Sequence, residues 1–259
     1  MNDRPYRILQ GSEPDAGFAG RCALIIMAKA PRAGRVKTRL SPPLSAEEAA
    51  ALNAAFLRDT IASLQTAGSL VPAVPVISYT PAGEEEAFRG IVPGDVPLLL
   101  QRGEHFGERL SFTVDDALAA GFSAVCLINS DSPTVPTSEY VRAVRLLLSE
   151  SPRAVVGPSD DGGYYLIGLN APAPELFEEI SWSTSAVCDQ TRERAAALSL
   201  RLDELRCWFD VDDEAALIRL YDELFCASRA DGYPAAETRR LLGELMERVP
   251  TSAQRSRQL

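Results

Sequence analysis

Apolar residues in this chain fall into two kinds of run. Short, nearly unbroken runs alternate with longer stretches whose apolar positions recur every three or four residues. The short runs "CALIIMA" (22–28), "VPVISYT" (74–80), "VPLLLQ" (96–101) and "SAVCLINSD" (123–131) predict buried strands. "RAVVGPSDDGGYYLIGL" (153–169) predicts two short strands flanking an Asp/Gly turn, and "LRLDELRCWFDVDD" (200–213) a last strand with an acidic end. Between them, helical spacing runs through 45–65, 107–121, 137–150, 183–200, 213–227 and 235–249, with a short helix at "EEEAFRG" (84–90). Ser45 and Glu48 form a capping-box pattern at the start of the first helix, Gly121 ends the helix at 107–121, and Ser183 or Thr184 is the expected cap at 183. Residues 1–20 are polar, with Gly and Pro, and predict a loose tail or an outer strand; 250–259 reads as disordered.

Strands alternating with helices predict a single-domain α/β fold, with a mixed, mostly parallel sheet and helices on both faces. No repeat, low-complexity tract or interdomain linker interrupts it. Ligands of such sheets bind beyond the carboxyl ends of the strands. Three chemically rich segments, 29–39, 129–133 and 210–213, each follow a predicted strand directly.

Charge sharpens this picture. The chain has 259 residues and a net charge of -10, which argues against nucleic acid or an anionic membrane as the main partner. A basic cluster in such a protein points to a small anion. One histidine, His105, nearly excludes His-based triads and His-rich zinc sites. The five cysteines show no C-x-x-C spacing and read as small buried hydrophobes in a reducing compartment. No apolar run reaches transmembrane length and the first residues have no signal-peptide core, so a cytoplasmic location is expected.

The basic cluster is "MAKAPRAGRVKTRL" (27–40), where Lys29, Arg32, Arg35, Lys37 and Arg39 stand within eleven residues. Pro31 and Gly34 make a sharp turn of it. Lys37 follows Gly34 by three positions and the upstream glycine is missing, so this is not a Walker A loop. Cations at a strand's carboxyl end suit a polyphosphate, Arg with two N–H groups and Lys as a point charge. A solvated basic turn is the alternative.

The acidic segments are complementary. Asp131 in "NSDSPTVP" is the first carboxylate beyond its strand, a suitable position for Mg²⁺, which takes one or two carboxylates plus substrate phosphates. An Asx-turn or helix cap would explain it equally. In "FDVDDEAAL", Asp210 and Asp212 point the same way if extended, whereas Asp213 is a helix cap. Asp160 and Asp161 precede Gly162 and Gly163, whose backbone can approach a ligand closely, and one of Tyr164 and Tyr165 faces the pocket. "SWSTSA" (181–186) presents Ser183 and Thr184 at a helix start, either as a cap or toward an anionic acceptor.

The ordered set "MAKAPRAGRVKTRL", "GERL", "NSDSPTVP", "GPSDDGGYYLIGL", "WSTS" and "DVDDEAAL", across roughly residues 22–220, resembles an uncharacterised family of bacterial glycosyltransferase-like proteins of the radical-SAM/selenium-associated transferase type. More distantly it is similar to phospholactate and molybdenum cofactor guanylyltransferases and to CMP-KDO synthetase. The resemblance implies a GT-A, nucleotide-diphospho-sugar transferase fold over 21–228, between an N-terminal tail (1–20) and a C-terminal helix and disordered tail (229–259). It implies that Lys29, Lys37 and Arg39 grip the triphosphate, and Gly34 and Thr38 of the same loop are candidate phosphate-binding residues beside them. Asp131, with Asp212 or Asp210, would bind Mg²⁺ or Mn²⁺. Asp160, Asp161, Gly162, Gly163, Tyr164, Ser183 and Thr184 would line the acceptor pocket, and Lys37, Asp131 and Asp161 would be catalytic. The "V-D-T-P-E-D-L" stretch of sugar-activating enzymes is "VDDEAAL" here, with Asp213 for Thr and no Pro.

Three activities follow as expectations. The first is nucleotidyl transfer from a nucleoside triphosphate to a small phosphorylated acceptor. The second is glycosyl transfer from a nucleotide sugar, with Asp160 or Asp161 as base. The third is nucleotide binding without turnover.

Overall fold

The computed structural model describes residues 6–11, 13–149, 151–226 and 232–246. The segment 250–259, expected to be disordered, lies outside these residues, as do the last positions of the helices expected over 213–227 and 235–249.

The apolar runs form strands β2 (Cys22–Lys29), β3 (Ala73–Thr80), β4 (Leu98–Leu100), β5 (Ala124–Ile128), β6 (Arg153–Pro158) and β7 (Tyr164–Leu169). A two-residue β1 (Ile8–Leu9) pairs with β4, so the N-terminal segment supplies an outer strand, and β8 (Arg201–Glu204) closes the other edge. The sheet has eight strands in the order β1-β4-β3-β2-β5-β7-β6-β8. β7 runs antiparallel to both its neighbours, and the other pairs are parallel.

The helices are α1 (Ala46–Leu70), α2 (Phe106–Ala119), α3 (Thr137–Leu147), α4 (Val187–Ala197), α5 (Glu214–Phe225) and α6 (Ala236–Met246). Side chains alternate across β2, so the sheet carries two cores. Leu24, Ile26 and Ala28 pack with α1, α3, α5 and α6, whereas Ala23 and Ile25 pack with α2 and α4. The chain is a single-domain α/β fold with a mixed, mostly parallel sheet and helices on both sheet faces, as the alternation predicts.

Local chemistry sets the helix ends. Ser45 and Glu48 make the expected capping box on α1. This helix runs five residues beyond the expected end, to Leu70; near that end Gly68 leaves room for the Ala73 carbonyl, which a Cβ would meet at 3.1 Å. Gly121 lies just beyond the α2 terminus with φ 108°, and Asp213 caps α5 by accepting from the Ala216 amide. α6 is capped from another helix, since the Asp59 carboxylate of α1 accepts from the Glu237 and Thr238 amides at 3.1 and 2.7 Å. The N- and C-terminal parts of the described chain join opposite cores: Phe18 stacks on Phe122 on the α2 side, and Leu242 and Leu245 pack in the α1 layer.

Two expectations need correction. The helix expected from 183 starts at Val187, and Ala186 is its cap position, without a side-chain cap. Ser183 has φ 63°, incompatible with a helix or a cap, and the Thr184 hydroxyl donates to Ser181 O at 2.7 Å. The segment 210–213 does not follow its strand directly, because β8 ends at Glu204. The chain continues beside β6 through Leu205 N to Val156 O (2.8 Å) and Trp208 N to Pro158 O (3.0 Å). It then reaches β5's loop through Val211 N to Asp131 O (2.9 Å).

Candidate active site

The strand order reverses about β2 and β5: β3 and β4 lie on one side, and β7, β6 and β8 on the other. The loops leaving these two strands therefore diverge and open a crevice at the sheet's carboxyl edge. The basic segment leaves β2 there, and Asn129–Asp131 leave β5. The hydrogen bond from Val211 adds the acidic segment as a third wall.

The structure sorts the five cations by partner. Arg32 is held by Glu84 at 2.7 Å. Lys37 takes a left-handed conformation, φ 50°, that turns its side chain inward. Its ammonium donates to Asp131 Oδ1 (2.7 Å), Asp212 Oδ1 (2.9 Å) and the Val211 carbonyl (2.7 Å), and sits 5.6 Å from the centre of the Phe56 ring. Only 4% of the side chain is exposed. Burial by itself works to lower its pKa, but the two carboxylates outweigh burial and hold it above the usual lysine value. Lys29, Arg35 and Arg39 are exposed and, among the described residues, make no ion pair. With Thr38, Lys37, Asp131 and Asp212 they line a cavity of about 270 Å³.

A second cavity, of about 500 Å³, adjoins the first and shares Arg39, Ser130, Asp131 and Asp212 with it. Asp161, Gly163, Tyr164, Ser183, Thr184 and Asp210 also line it. Asp210 and Asp212 face the same space, as extended alternation predicts. Burial, reinforced by the carboxylates of Asp161, Asp212 and Asp131, pushes the Asp210 carboxyl up to about 7. Tyr164 and Tyr165 both border this cavity, where strand alternation predicts only one; Tyr165 also packs in the core, its hydroxyl donating to Arg206 O at 3.1 Å.

Three sequence-expected residues line neither cavity. Gly34 makes the turn of the basic loop with φ 70°. Asp160 is engaged by Arg219. Gly162, with φ 91°, is a structural contact: a Cβ there would meet the Ser185 carbonyl at 2.1 Å, and its own carbonyl accepts from Cys188 N at the start of α4.

Sequence reasoning missed Asn53, Phe106 and Trp182. Asn53 lines the smaller cavity from α1, is 4% exposed, and has an amide oxygen without a partner. An Asn amid the apolar positions of "AALNAAF" was the available signal. Phe106 and Trp182 meet edge to face at the larger cavity, ring centres 5.0 Å apart. Gly107 permits this, because a Cβ there would lie 3.0 Å from the indole nitrogen.

The donors near the shared wall are hard carboxylate oxygens, suited to Mg²⁺ or Mn²⁺. Among the described residues no three His, Cys, Asp or Glu side chains stand close enough to hold a metal by themselves. The Lys37 ammonium is the cation between Asp131 and Asp212. This arrangement fits a metal completed by substrate oxygens. None of the helices formed by the described residues is long and apolar enough to cross a membrane.

Fold and site together define an α/β sheet protein with adjoining cationic and carboxylate-lined cavities. Comparison with solved structures identifies the fold as that of nucleotide-diphospho-sugar transferases. The chain resembles a provisionally assigned nucleotide-diphospho-sugar transferase from Desulfovibrio desulfuricans G20, with 29% identity and TM-score 0.75, covering 88% of this chain and 98% of that one. A nucleotidyl transferase from Methanothermobacter thermautotroptrophicus shares the fold at 14% identity and TM-score 0.51, covering 78% of this chain and 96% of that one. The family model described as "Uncharacterized protein conserved in bacteria (DUF2064)" matches residues 60–184, which include Asp131 and Asp161 but not the basic loop. No curated protein matches the sequence.

Proposed function

We propose that this protein is a metal-dependent nucleotidyltransferase that transfers a nucleotidyl group from a nucleoside triphosphate to a small phosphorylated acceptor. The observation that carries this reading is the cavity in which Lys29, Arg35 and Arg39 converge without carboxylate partners, beside Asp131 and Asp212. Three exposed cations around a small space suit a pyrophosphate leaving group, and the adjoining larger cavity suits the acceptor. The relative from D. desulfuricans supports a nucleotide-handling site in general terms.

In this reading an acceptor phosphate oxygen attacks the α-phosphorus in line. The bond from that phosphorus to the bridging oxygen breaks, and pyrophosphate leaves with the electron pair. Lys29, Arg35 and Arg39 balance the charge that builds on the departing group. Asp131, with Asp212 or Asp210, would hold Mg²⁺ or Mn²⁺. When bound, the ion would neutralise phosphate oxygens and fix their position. Asp161, Tyr164, Ser183 and Thr184 border the space for the acceptor. No protein nucleophile is required.

A second reading, glycosyl transfer from a nucleotide sugar, is favoured by one observation. Asp210 is held at about 7 in the larger cavity, suitable for a general base near neutral pH. Asp161 is the other candidate base, since Asp160 is engaged by Arg219.

Calorimetry with a panel of nucleoside triphosphates and nucleotide sugars, with and without Mg²⁺ or Mn²⁺, tests the proposal. Metal-dependent binding of one triphosphate, lost in Asp131→Ala, and pyrophosphate release with a phosphorylated acceptor support nucleotidyl transfer. Preference for a nucleotide sugar and release of nucleoside diphosphate would replace it with glycosyl transfer. Nucleotide binding without any product would leave a binding module. No nucleotide binding under any metal condition would refute both enzymatic readings.

A further inference from the structure

We infer that Lys37 is a place-holding cation that keeps a divalent ion out of the Asp131–Asp212 pair until a polyphosphate draws its ammonium away. The inference rests on the nucleotide-binding reading of this site and adds an order of events to it.

The geometry is that of a tether. One ammonium joins three separate segments of the chain: its own basic loop, the loop after β5 and the residues before α5. Its contacts with Asp131 Oδ1 and Asp212 Oδ1 are 2.7 and 2.9 Å. Mg²⁺ needs its oxygens at about 2.0–2.1 Å, so the ammonium and a bridging ion compete for these same oxygens and repel each other. The carboxylates are otherwise reachable, with side chains 29% and 48% exposed. The ammonium, rather than burial, is what stands between them and the ion.

The same lysine borders the smaller cavity, among the unpaired Lys29, Arg35 and Arg39. A polyphosphate attracted there would bring new acceptor oxygens to the Lys37 ammonium. Once the ammonium turns to them, Asp131 and Asp212 are free for the metal. Metal and polyphosphate then favour each other's binding, and the coupling is reciprocal.

The test uses Mn²⁺ alone, without nucleotide, titrated into wild type, Lys37→Met, Lys37→Gln and Lys37→Arg, with bound Mn²⁺ read by electron paramagnetic resonance. Wild type and Lys37→Arg should bind weakly. Lys37→Met and Lys37→Gln should bind tighter by about tenfold or more, because the competing charge is gone. Adding Asp131→Asn to either neutral variant should abolish the gain. Thermal melts identify any variant that fails to fold, and the other neutral variant then decides. Wild type alone already bears on the inference: tight binding to it that Asp131→Asn removes would overturn the idea. So would a neutral variant that binds no tighter than wild type, or a gain that survives Asp131→Asn. Failure of the nucleotide reading would appear separately, as absent binding in the calorimetric panel, while the Mn²⁺ comparison still scores the tether.

Discussion

Replacing Asp210 with Asn should remove a pH-dependent loss of stability. In the metal-free protein Asp210 is partly buried, and the carboxylates of Asp161, Asp212 and Asp131 act on it as well, so its carboxyl titrates near 7 instead of 3.8. The sign follows from linkage. Below about pH 4 both folded and unfolded chains carry the proton, and the stabilisation is fully present. Between pH 4 and 7 the unfolded chain releases the proton while the folded chain keeps it, so stability falls as pH rises. Above about 7 the loss is complete. At 1.36 kcal/mol per pH unit the upper limit is about 4 kcal/mol. Solvent reaching the partly exposed carboxylate reduces this to about 1–2 kcal/mol. Asp210→Asn has nothing to ionise. In EDTA it should match wild type near pH 4 and melt above it by about 3–6 °C at pH 8. Thermal unfolding of both proteins from pH 4 to 9 is the assay. Parallel curves, or a gain that appears at low pH instead, would refute the reasoning.

Four more substitutions test other parts of the structure. Gly162→Ala should destabilise by about 4 kcal/mol or more, read by chemical denaturation, because a Cβ at φ 91° meets the Ser185 carbonyl. Ser45→Ala removes the capping box of α1 and should cost about 1 kcal/mol, lowering the melting temperature by about 2–4 °C. Arg35→Ala should weaken binding of inorganic pyrophosphate about tenfold at low salt. Arg32→Ala, whose charge is engaged by Glu84, should leave it nearly unchanged; equal losses in calorimetry would contradict the sorting of the cations.

Most of the fold is local information, and the chain states it openly. The apolar runs of β2 to β7 need only burial on both faces to become strands of a covered sheet. The Ser45–Glu48 pair, Gly121 and Asp213 act within a few residues of themselves, so their roles as helix punctuation are legible. The start of α4 was not legible. Ser183 and Thr184 are good caps by chemistry, yet Ser183 sits at φ 63°, the helix begins at Val187, and the Cys188 amide in its first turn is satisfied by the sequence-distant Gly162 carbonyl.

The sequence likewise fixes which charges exist near the candidate site, but not which remain available. The five cations of 29–39 look equivalent along the chain. Only the sheet order brings Glu84 to Arg32, and Asp131 and Asp212 to Lys37, leaving Lys29, Arg35 and Arg39 facing the small cavity. Asp160 and Asp161 are adjacent and chemically identical, and the position of Arg219 on α5 separates their roles. The reason is the range of the forces. Helix caps and strand patterns act between near neighbours. An ion pair is decided at a few ångströms between groups as distant in sequence as Lys37 and Asp212, 175 positions apart, and only the packed sheet sets that distance.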